Sequence, residues 1–289
     1  MPIKGLSIIG ESINDSVPST RKLFDDGNME GLLALARSQD EKGAAYIDVN
    51  IGRREPSLMA GLVRKIQGVS SKPLSIDTPD MEIAAAGLHA YDAQRAGGRL
   101  PVLNSISPLR PEMFSLFKIK PFMPILMISE RVEGGQSAPN RTAEETFRTA
   151  RDMVLEARRA CPGITNEHLI LDPGICPVGS DSEGNLKRLL DGMHLIHDDP
   201  DLKRVHASVG LSNFTVMLPQ KTRKGMPLRS TLESAFLTLA MPLGVDMIIG
   251  SMARKYERLP PGHPALACLE DFVRMDGFDA ILRLKDFYS

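Results

Sequence analysis

Six polar clusters, each at the C-terminal end of a short apolar run, are the parts of this sequence best suited to chemistry. They are Glu11-Ser12-Ile13-Asn14, Asp48-Val49-Asn50, Asp77-Thr78, Asn104-Ser105, Asp172-Pro173-Gly174 and Ser212-Asn213. Asp and Asn are uncommon in buried strands because they lose hydration there and have low strand propensity. Their recurrence at the same end of successive runs predicts one shared ligand site.

The side chains of this set are mostly carboxylates and primary amides. A carboxylate accepts two parallel hydrogen bonds from an amidine-like edge, and an amide donates and accepts side by side. Such groups suit a flat heterocycle with alternating donors and acceptors on its edge, as in a pterin. His168 and His206 stand at the opposite ends of their runs, so no histidine-based metal site is expected. The sequence also has no P-loop and no Gly-x-Gly-x-x-Gly after its first run.

Each cluster has a structural interpretation as well. Asp77 precedes Thr78-Pro79-Asp80 and could cap the next helix, while Asp172-Pro173-Gly174 could form a turn. Capping and turn formation do not favour one set of strand ends together. Six clusters at equivalent positions therefore favour a ligand site.

Eight apolar runs alternate with segments of helical periodicity, and this alternation is what must position the clusters. The runs are at 6–10, 46–49, 73–77, 101–104, 123–128, 168–172, 206–211 and 245–250. Helices are predicted at 28–43, 56–69, 80–91, 110–117, 142–160, 183–197, 229–241 and 264–274. Eight such units predict a single (β/α)8 TIM barrel over residues 1–289, with its site at the C-terminal ends of the strands. A doubly wound open sheet is the alternative.

The composition excludes several classes of protein. Lys and Arg total 35 against 36 Asp and Glu, so the chain lacks the basic character of a protein that binds nucleic acid or an anionic membrane. No run of about 18 apolar residues is present to span a membrane. Cys161, Cys176 and Cys268 are widely spaced, and the N-terminus has no signal-peptide core. These features suit a cytoplasmic protein.

The six motifs, in this order, resemble the pterin-binding family. That family includes dihydropteroate synthase, the folate module of cobalamin-dependent methionine synthase, and the methyltetrahydrofolate:corrinoid methyltransferases. The resemblance runs from about residue 6 to residue 250. Any one motif is weak, and the resemblance rests on all six together: Gly10-Glu11-Ser12-Ile13-Asn14, Asp48-Val49-Asn50, Ser75-Ile76-Asp77-Thr78, Leu103-Asn104-Ser105, Leu171-Asp172-Pro173 and Gly210-Leu211-Ser212-Asn213.

Two departures favour the methyltransferases within this family. Ser212-Asn213-Phe214 stands where the synthase has Ser-Arg-Lys to bind its leaving pyrophosphate, and Ile51-Gly52-Arg53-Arg54 replaces the synthase run Gly-Gly-Glu-Ser. A synthase-like pterin enzyme and a non-catalytic pterin-binding barrel remain as alternatives. The loop 219–225, with Lys221 and Lys224, departs from both patterns and could meet a folate tail, a partner protein or only solvent.

The resemblance implies methyl transfer between methyltetrahydrofolate and the cobalt of a corrinoid (cobalamin) held by a separate protein, since no corrinoid-binding domain is recognised in the chain. The catalytic residues it implies are Asn213, as donor to the methyl-bearing nitrogen, and Asp77, near the water that brings the proton. The substrate-binding residues are Asp172, Asn104, Asp48, Asn50, Glu11, Asn14 and Ser212. No bound metal is expected. The family is commonly dimeric, and Leu237, Leu239 and Met241 are candidates for a homodimer surface or for core packing.

Overall fold

In the computed structural model, which describes residues 3–289, eight parallel strands close into a barrel. The strands, numbered β1 to β8 in chain order, are Ser7–Asn14, Tyr46–Asn50, Leu74–Asp77, Val102–Ile106, Met123–Met127, Ile170–Asp172, His206–Gly210 and Val245–Gly250. The barrel closes where β8 pairs with β1, with Met247 opposite Ser7. The predicted (β/α)8 barrel is confirmed and the open sheet is excluded.

Helices surround the barrel, as the apolar periodicity of the sequence predicts. The α-helices are Pro18–Asp25, Met29–Glu41, Pro56–Ile66, Met81–Ala90, Ala143–Ala160, Asn185–Asp198, Leu211–Phe214, Leu228–Ala240, Pro264–Arg274 and Gly277–Tyr288. Short 3-10 helices are Gln94–Ala96, Pro111–Lys118, Asn166–His168, Val178–Ser180, Pro200–Leu202 and Met241–Leu243. The fourth predicted helix is thus a 3-10 helix. A hairpin of Glu130–Glu133 and Gln136–Pro139 follows β5 and was not predicted.

Local signals explain where two of these helices begin. Thr142 caps the helix Ala143–Ala160 in a capping box with Glu145, which satisfies the free N–H groups of the first turn. Asp80 caps the helix Met81–Ala90 by accepting from the backbone N–H groups of Glu82 and Ile83. Because Asp80 supplies this cap, Asp77 is not needed for it.

The inside of the barrel is filled by an apolar layer below the site. Its buried members are Ile9, Val102, Ile125, Ile170 and Met247, contributed by β1, β4, β5, β6 and β8. A filled interior leaves the C-terminal ends of the strands as the place where a ligand can enter.

The outer core lies between the strands and the helices, and it decides the interpretation of one apolar segment. Leu237 is completely buried there, while Leu239 and Met241 are partly buried and pack against the same cluster. Core packing therefore accounts for these residues, and of the two alternatives a homodimer surface is excluded at Leu237. Within residues 3–289, no helix combines the length and apolar character needed to cross a membrane.

Candidate active site

A cavity of about 850 Å³ opens at the C-terminal ends of the strands, the mouth of the barrel. Eight of the nine sequence-predicted site residues line it: Glu11, Asn14, Asp48, Asp77, Asn104, Asp172, Ser212 and Asn213. They come together because parallel strands in a closed barrel all end on the same side. A cavity of this size is within the range that encloses small heterocyclic ligands.

The ninth residue, Asn50, lies behind the wall of the cavity. Its side-chain amide donates to Asp77 Oδ2 at 2.9 Å, and its own Oδ1 accepts from the backbone N–H of Gly52 at 2.9 Å. Both polar atoms of the Asn50 amide are thus hydrogen-bonded, and Asn50 influences the cavity through Asp77.

Asp48 and Asp77 form a pair of buried carboxyl groups on β2 and β3. Burial raises the pKa of Asp48 well above its usual range, and the neighbouring charge of Asp77 raises it further. Burial also raises the pKa of Asp77, while Asn50 and Asp48 oppose that shift. Asp48 is only 1% exposed, and its Oδ1 has no hydrogen-bond partner among the described residues. Two neighbouring carboxyl groups in such a place hold a proton more readily than both ionise.

Asp172 both forms a turn and faces the cavity. Its Oδ1 accepts from the backbone N–H of Gly174 at 2.8 Å, and Gly174 has a positive φ of 67° that favours glycine. The structural interpretation of this segment is therefore right, but it does not exclude the functional one, because Asp172 also lines the cavity. Burial raises its pKa to about 6, with the Gly174 N–H and the charge of Arg188 opposing the shift. Near pH 7 this carboxylate is mostly ionised and able to accept.

Ser212 and Asn213 lie on the short helix Leu211–Phe214, which starts directly after β7. Gly210 occupies the N-cap position, so Asn213 does not cap this helix. The Asn213 side chain is exposed to the cavity and makes no hydrogen bond with any described residue. Its amide is therefore available to a ligand.

The neighbouring serine is already engaged with a carboxyl group. The Ser212 hydroxyl donates to Glu11 Oε1 across the barrel mouth. Burial raises the pKa of Glu11, and both Ser212 and the charge of Arg254 oppose that shift.

Arginines on the β7–β8 side of the cavity were missed by sequence reasoning. Arg254, which follows β8, and Arg229 both line the cavity. Arg254 pairs with Glu233, a fully buried residue that also accepts from the Thr215 hydroxyl. Burial raises the pKa of Glu233 to about 7. A signal existed, since a Glu between Leu232 and Ala235 on an apolar helix requires a buried partner.

The cavity thus has carboxyl and amide groups at the ends of β2, β3, β4 and β6, while the arginines lie on the β7–β8 side together with Asn213. The carboxyl and amide groups can hold the donor and acceptor edge of a flat heterocycle, and Asn213 can reach a further atom of it. Among residues 3–289 no group of three or more His, Cys, Asp or Glu side chains is arranged to hold a metal ion.

Comparison with known proteins gives a consistent family. A sequence model described as pterin binding enzyme matches residues 14–250. A methylcorrinoid:tetrahydrofolate methyltransferase from Eubacterium limosum is 26% identical over 248 residues, covering 84% of this chain and 83% of that protein.

Solved structures share the architecture. Dihydropteroate synthase from Xanthomonas albilineans with 4-aminobenzoic acid matches with a TM-score of 0.58 at 16% identity, covering 86% of this chain and 88% of that one. The 7,8-dihydropteroate synthase from Vibrio fischeri matches with the same values. At this level of identity the two structures show that the fold is shared, and nothing more.

Proposed function

The chain belongs to the pterin-binding enzyme family, and we propose that it moves a methyl group between methyltetrahydrofolate and the cobalt of a corrinoid held by another protein. The relative from Eubacterium limosum, which matches over most of both chains, carries a name that describes this reaction. The observation that carries the proposal is the position of Asn213, an amide exposed in the cavity without a partner among the described residues. A synthase would place a cation at this position to bind pyrophosphate.

The acidic side of the cavity holds the pterin in this proposal. Asp172 accepts from the amidine-like edge of the ring, and Asn104 donates and accepts beside it. Asp77 completes the contact, with Asp48 beside it in the cavity and Asn50 behind it. These groups are held by strand ends and hydrogen bonds rather than by mobile loops. The protein therefore loses little conformational entropy when the pterin binds.

The chemical difficulty lies in the methyl-bearing nitrogen. A neutral tertiary amine is a poor leaving group unless the nitrogen is protonated or strongly hydrogen-bonded as charge develops. The Asn213 amide donates to that nitrogen but cannot ionise, so the proton arrives through water near Asp77. The Asp48–Asp77 pair is a nearby store for that proton. By microscopic reversibility the same groups serve transfer in either direction.

The corrinoid supplies the nucleophile when its cobalt is reduced, so the chain need not provide one. The protein groups have to bind the pterin, orient its methyl group toward the barrel mouth and manage one proton. Cys161 and Cys268 are buried, and Cys161, Cys176 and Cys268 all have a raised pKa because of burial, which is the opposite of a poised nucleophile.

The test is to mix the protein with methyltetrahydrofolate and photoreduced cobalamin and to follow the loss of the Co(I) absorbance. We expect loss that depends on the protein and persists in the presence of a chelator. A decay equal to that without protein would contradict the proposal. A parallel incubation with a pterin pyrophosphate and 4-aminobenzoate tests the synthase alternative, which would form dihydropteroate and release pyrophosphate.

The proposal also includes a cytoplasmic homodimer. It is supported by free Cys161 and Cys268 in the core, which suit a reducing compartment, and by the commonness of two-fold symmetric oligomers. Sedimentation of the purified protein measures the oligomeric state, and a monomer at micromolar concentration would contradict it.

A further inference from the structure

Arg188 lies behind the turn that carries Asp172. Its Nη2 donates to the backbone carbonyl of Pro173 at 2.9 Å and to that of Gly174 at 3.3 Å. Its Nη1 donates to Thr146 Oγ1 at 2.9 Å. One guanidinium therefore ties the turn after β6 to two different helices, its own and the helix Ala143–Ala160.

The packing around Arg188 fixes the guanidinium in place. The residue is only 6% exposed, and its Nε has no hydrogen-bond partner among the described residues. The two helices approach closely beside it, since a Cβ on Gly192 would lie 3.2 Å from Thr146 Cγ2. On the other side of the turn, a Cβ on Gly174 would lie 2.5 Å from Ser129 Cβ. The turn is thus held from both sides and has little freedom to move.

Burying the Arg188 cation costs free energy. Burial lowers the pKa of Arg188, and the nearby Cys176, Asp181 and Asp172 oppose that shift. Asp181 already accepts three hydrogen bonds at the start of the helix Asn185–Asp198, two from Asn185 and one from Leu186. A buried guanidinium without a bonded carboxylate partner has a high desolvation cost, which the hydrogen bonds to Thr146 and to the turn offset in part.

We propose that Arg188 is a positioning residue for Asp172: it fixes the backbone of the Asp172–Gly174 turn and keeps a positive charge behind the carboxylate that receives the pterin edge. The inference deepens the proposed function and rests on it. In this proposal Arg188, which does not line the cavity, determines both the orientation and the ionisation of the Asp172 carboxylate.

The effect of Arg188 on the ionisation of Asp172 has to be weighed against the other charged groups around this carboxylate. Arg188 approaches from the helix Asn185–Asp198, and the carboxyl groups of Glu11, Asp48 and Asp77 line the same cavity from β1, β2 and β3. Arg229 and Arg254 line its far side. Glu130 of the hairpin and Cys176 lie beside Arg188. Arg188 is the charged residue that opposes the raised pKa of Asp172.

The experiment measures the affinity for methyltetrahydrofolate between about pH 5.5 and 8.5 in the parent protein, R188M and R188K. The parent should lose affinity as the pH falls through about 6, where Asp172 takes up a proton. In R188M the midpoint should move up by about one pH unit, because the opposing charge is gone. In R188K the charge remains, so the midpoint should stay, while affinity at high pH falls about 3- to 10-fold because one ammonium cannot hold Thr146 and both carbonyls.

Two controls separate the possible failures. R151M removes an arginine that is half exposed on the outer face of the helix Ala143–Ala160, and it should leave the profile unchanged. D172N removes the titrating group and should give weak binding with no transition near pH 6. If D172N binds as the parent does, the assignment of Asp172 as the pterin acceptor, on which the proposed site rests, is wrong. If D172N fails to bind but R188M keeps the parent's midpoint, only the inference about Arg188 is overturned.

Discussion

The side-chain amide of Asn50 donates a hydrogen bond of 2.9 Å to the carboxylate of Asp77 on the neighbouring strand. This bond favours the ionised form of Asp77, whereas burial favours the neutral form. Asp48 adds a second carboxyl group on the same side. The protonation state of Asp77, next to the water that serves the methyl-bearing nitrogen, is therefore set in part by Asn50, which lies behind the cavity wall, and by Asp48, which lines the cavity.

The first prediction removes that donor. Asn50→Leu should raise the pKa of Asp77, so the pH dependence of methyl transfer should move to higher pH, while folate affinity at high pH changes little. A bond to a charged group contributes about 1.5–3 kcal/mol, which corresponds to a shift of one to two pH units. Single-turnover transfer at several pH values measures it. Asn50→Asp keeps the acceptor for Gly52 and places a like charge beside Asp77, so it should shift the profile in the same direction; a profile unchanged in both variants would contradict the assignment.

The barrel and the line of residues at its mouth were predictable from the sequence because both follow from periodic patterns. Buried strands are continuous apolar runs, and a polar residue at the end of a run is conspicuous. The Glu233–Arg254 pair and the contacts of Arg188 were not predictable, because the partners are distant in sequence and no local pattern joins them. Asp172 shows another limit: the sequence offers a turn or a ligand, and the structure uses one carboxyl oxygen for the turn while the residue lines the cavity.

The second prediction separates these two tasks of Asp172. Asp172→Ala should weaken pterin binding by about 2–4 kcal/mol, because the ring edge loses a charged acceptor. Loss of the bond to Gly174 should cost about 1 kcal/mol of folding stability. Asp172→Asn keeps an oxygen for Gly174 and should therefore restore stability but not binding. Calorimetric titration and urea unfolding of both variants measure the two effects, and recovery of full affinity in Asp172→Asn would contradict the assignment of Asp172 as the pterin acceptor.

The third prediction concerns Glu233 and the stability of the fold. Burial raises the pKa of this carboxyl group to about 7, above the usual value of 4.5. The folded protein then binds this proton more tightly than the unfolded chain, so the contribution of Glu233 is greatest below about pH 4.5 and declines as the pH rises to about 7. The decline amounts to about 3 kcal/mol.

Glu233→Gln should remove this decline. The free energy of unfolding of the variant should match the parent near pH 5 and exceed it near pH 8, as measured by urea unfolding at each pH. Glu257→Gln, at an exposed position, serves as the control, and its free energy of unfolding should change with pH as that of the parent does. If the free energies of unfolding of the parent and of Glu233→Gln changed in parallel with pH, Glu233 would be ionised over the whole range, stabilised by Arg254.

The last prediction tests whether Asn213 acts in the transition state or only in binding. The Asn213 amide is exposed in the cavity, and the N-cap position of its helix is occupied by Gly210. If it donates to the methyl-bearing nitrogen mainly as charge develops, Asn213→Ala should slow methyl transfer by about 10²–10³, the cost of one oriented donor. Folate affinity should change far less, because a neutral amine is a weak acceptor in the ground state.

Asn213→Asp makes the distinction sharper because it nearly preserves the shape of the side chain but replaces the donor with an acceptor when ionised. Its rate of transfer should be at least as low as that of Asn213→Ala, and it should recover in part at low pH, where a protonated Asp can donate again. Single-turnover transfer to Co(I) cobalamin, beside a folate titration of each variant, provides the measurement. Equal losses of rate and affinity would make Asn213 a binding residue. The absence of any loss would show that Asn213 is not the donor to the methyl-bearing nitrogen, and it would favour a pterin-binding barrel that does not catalyse.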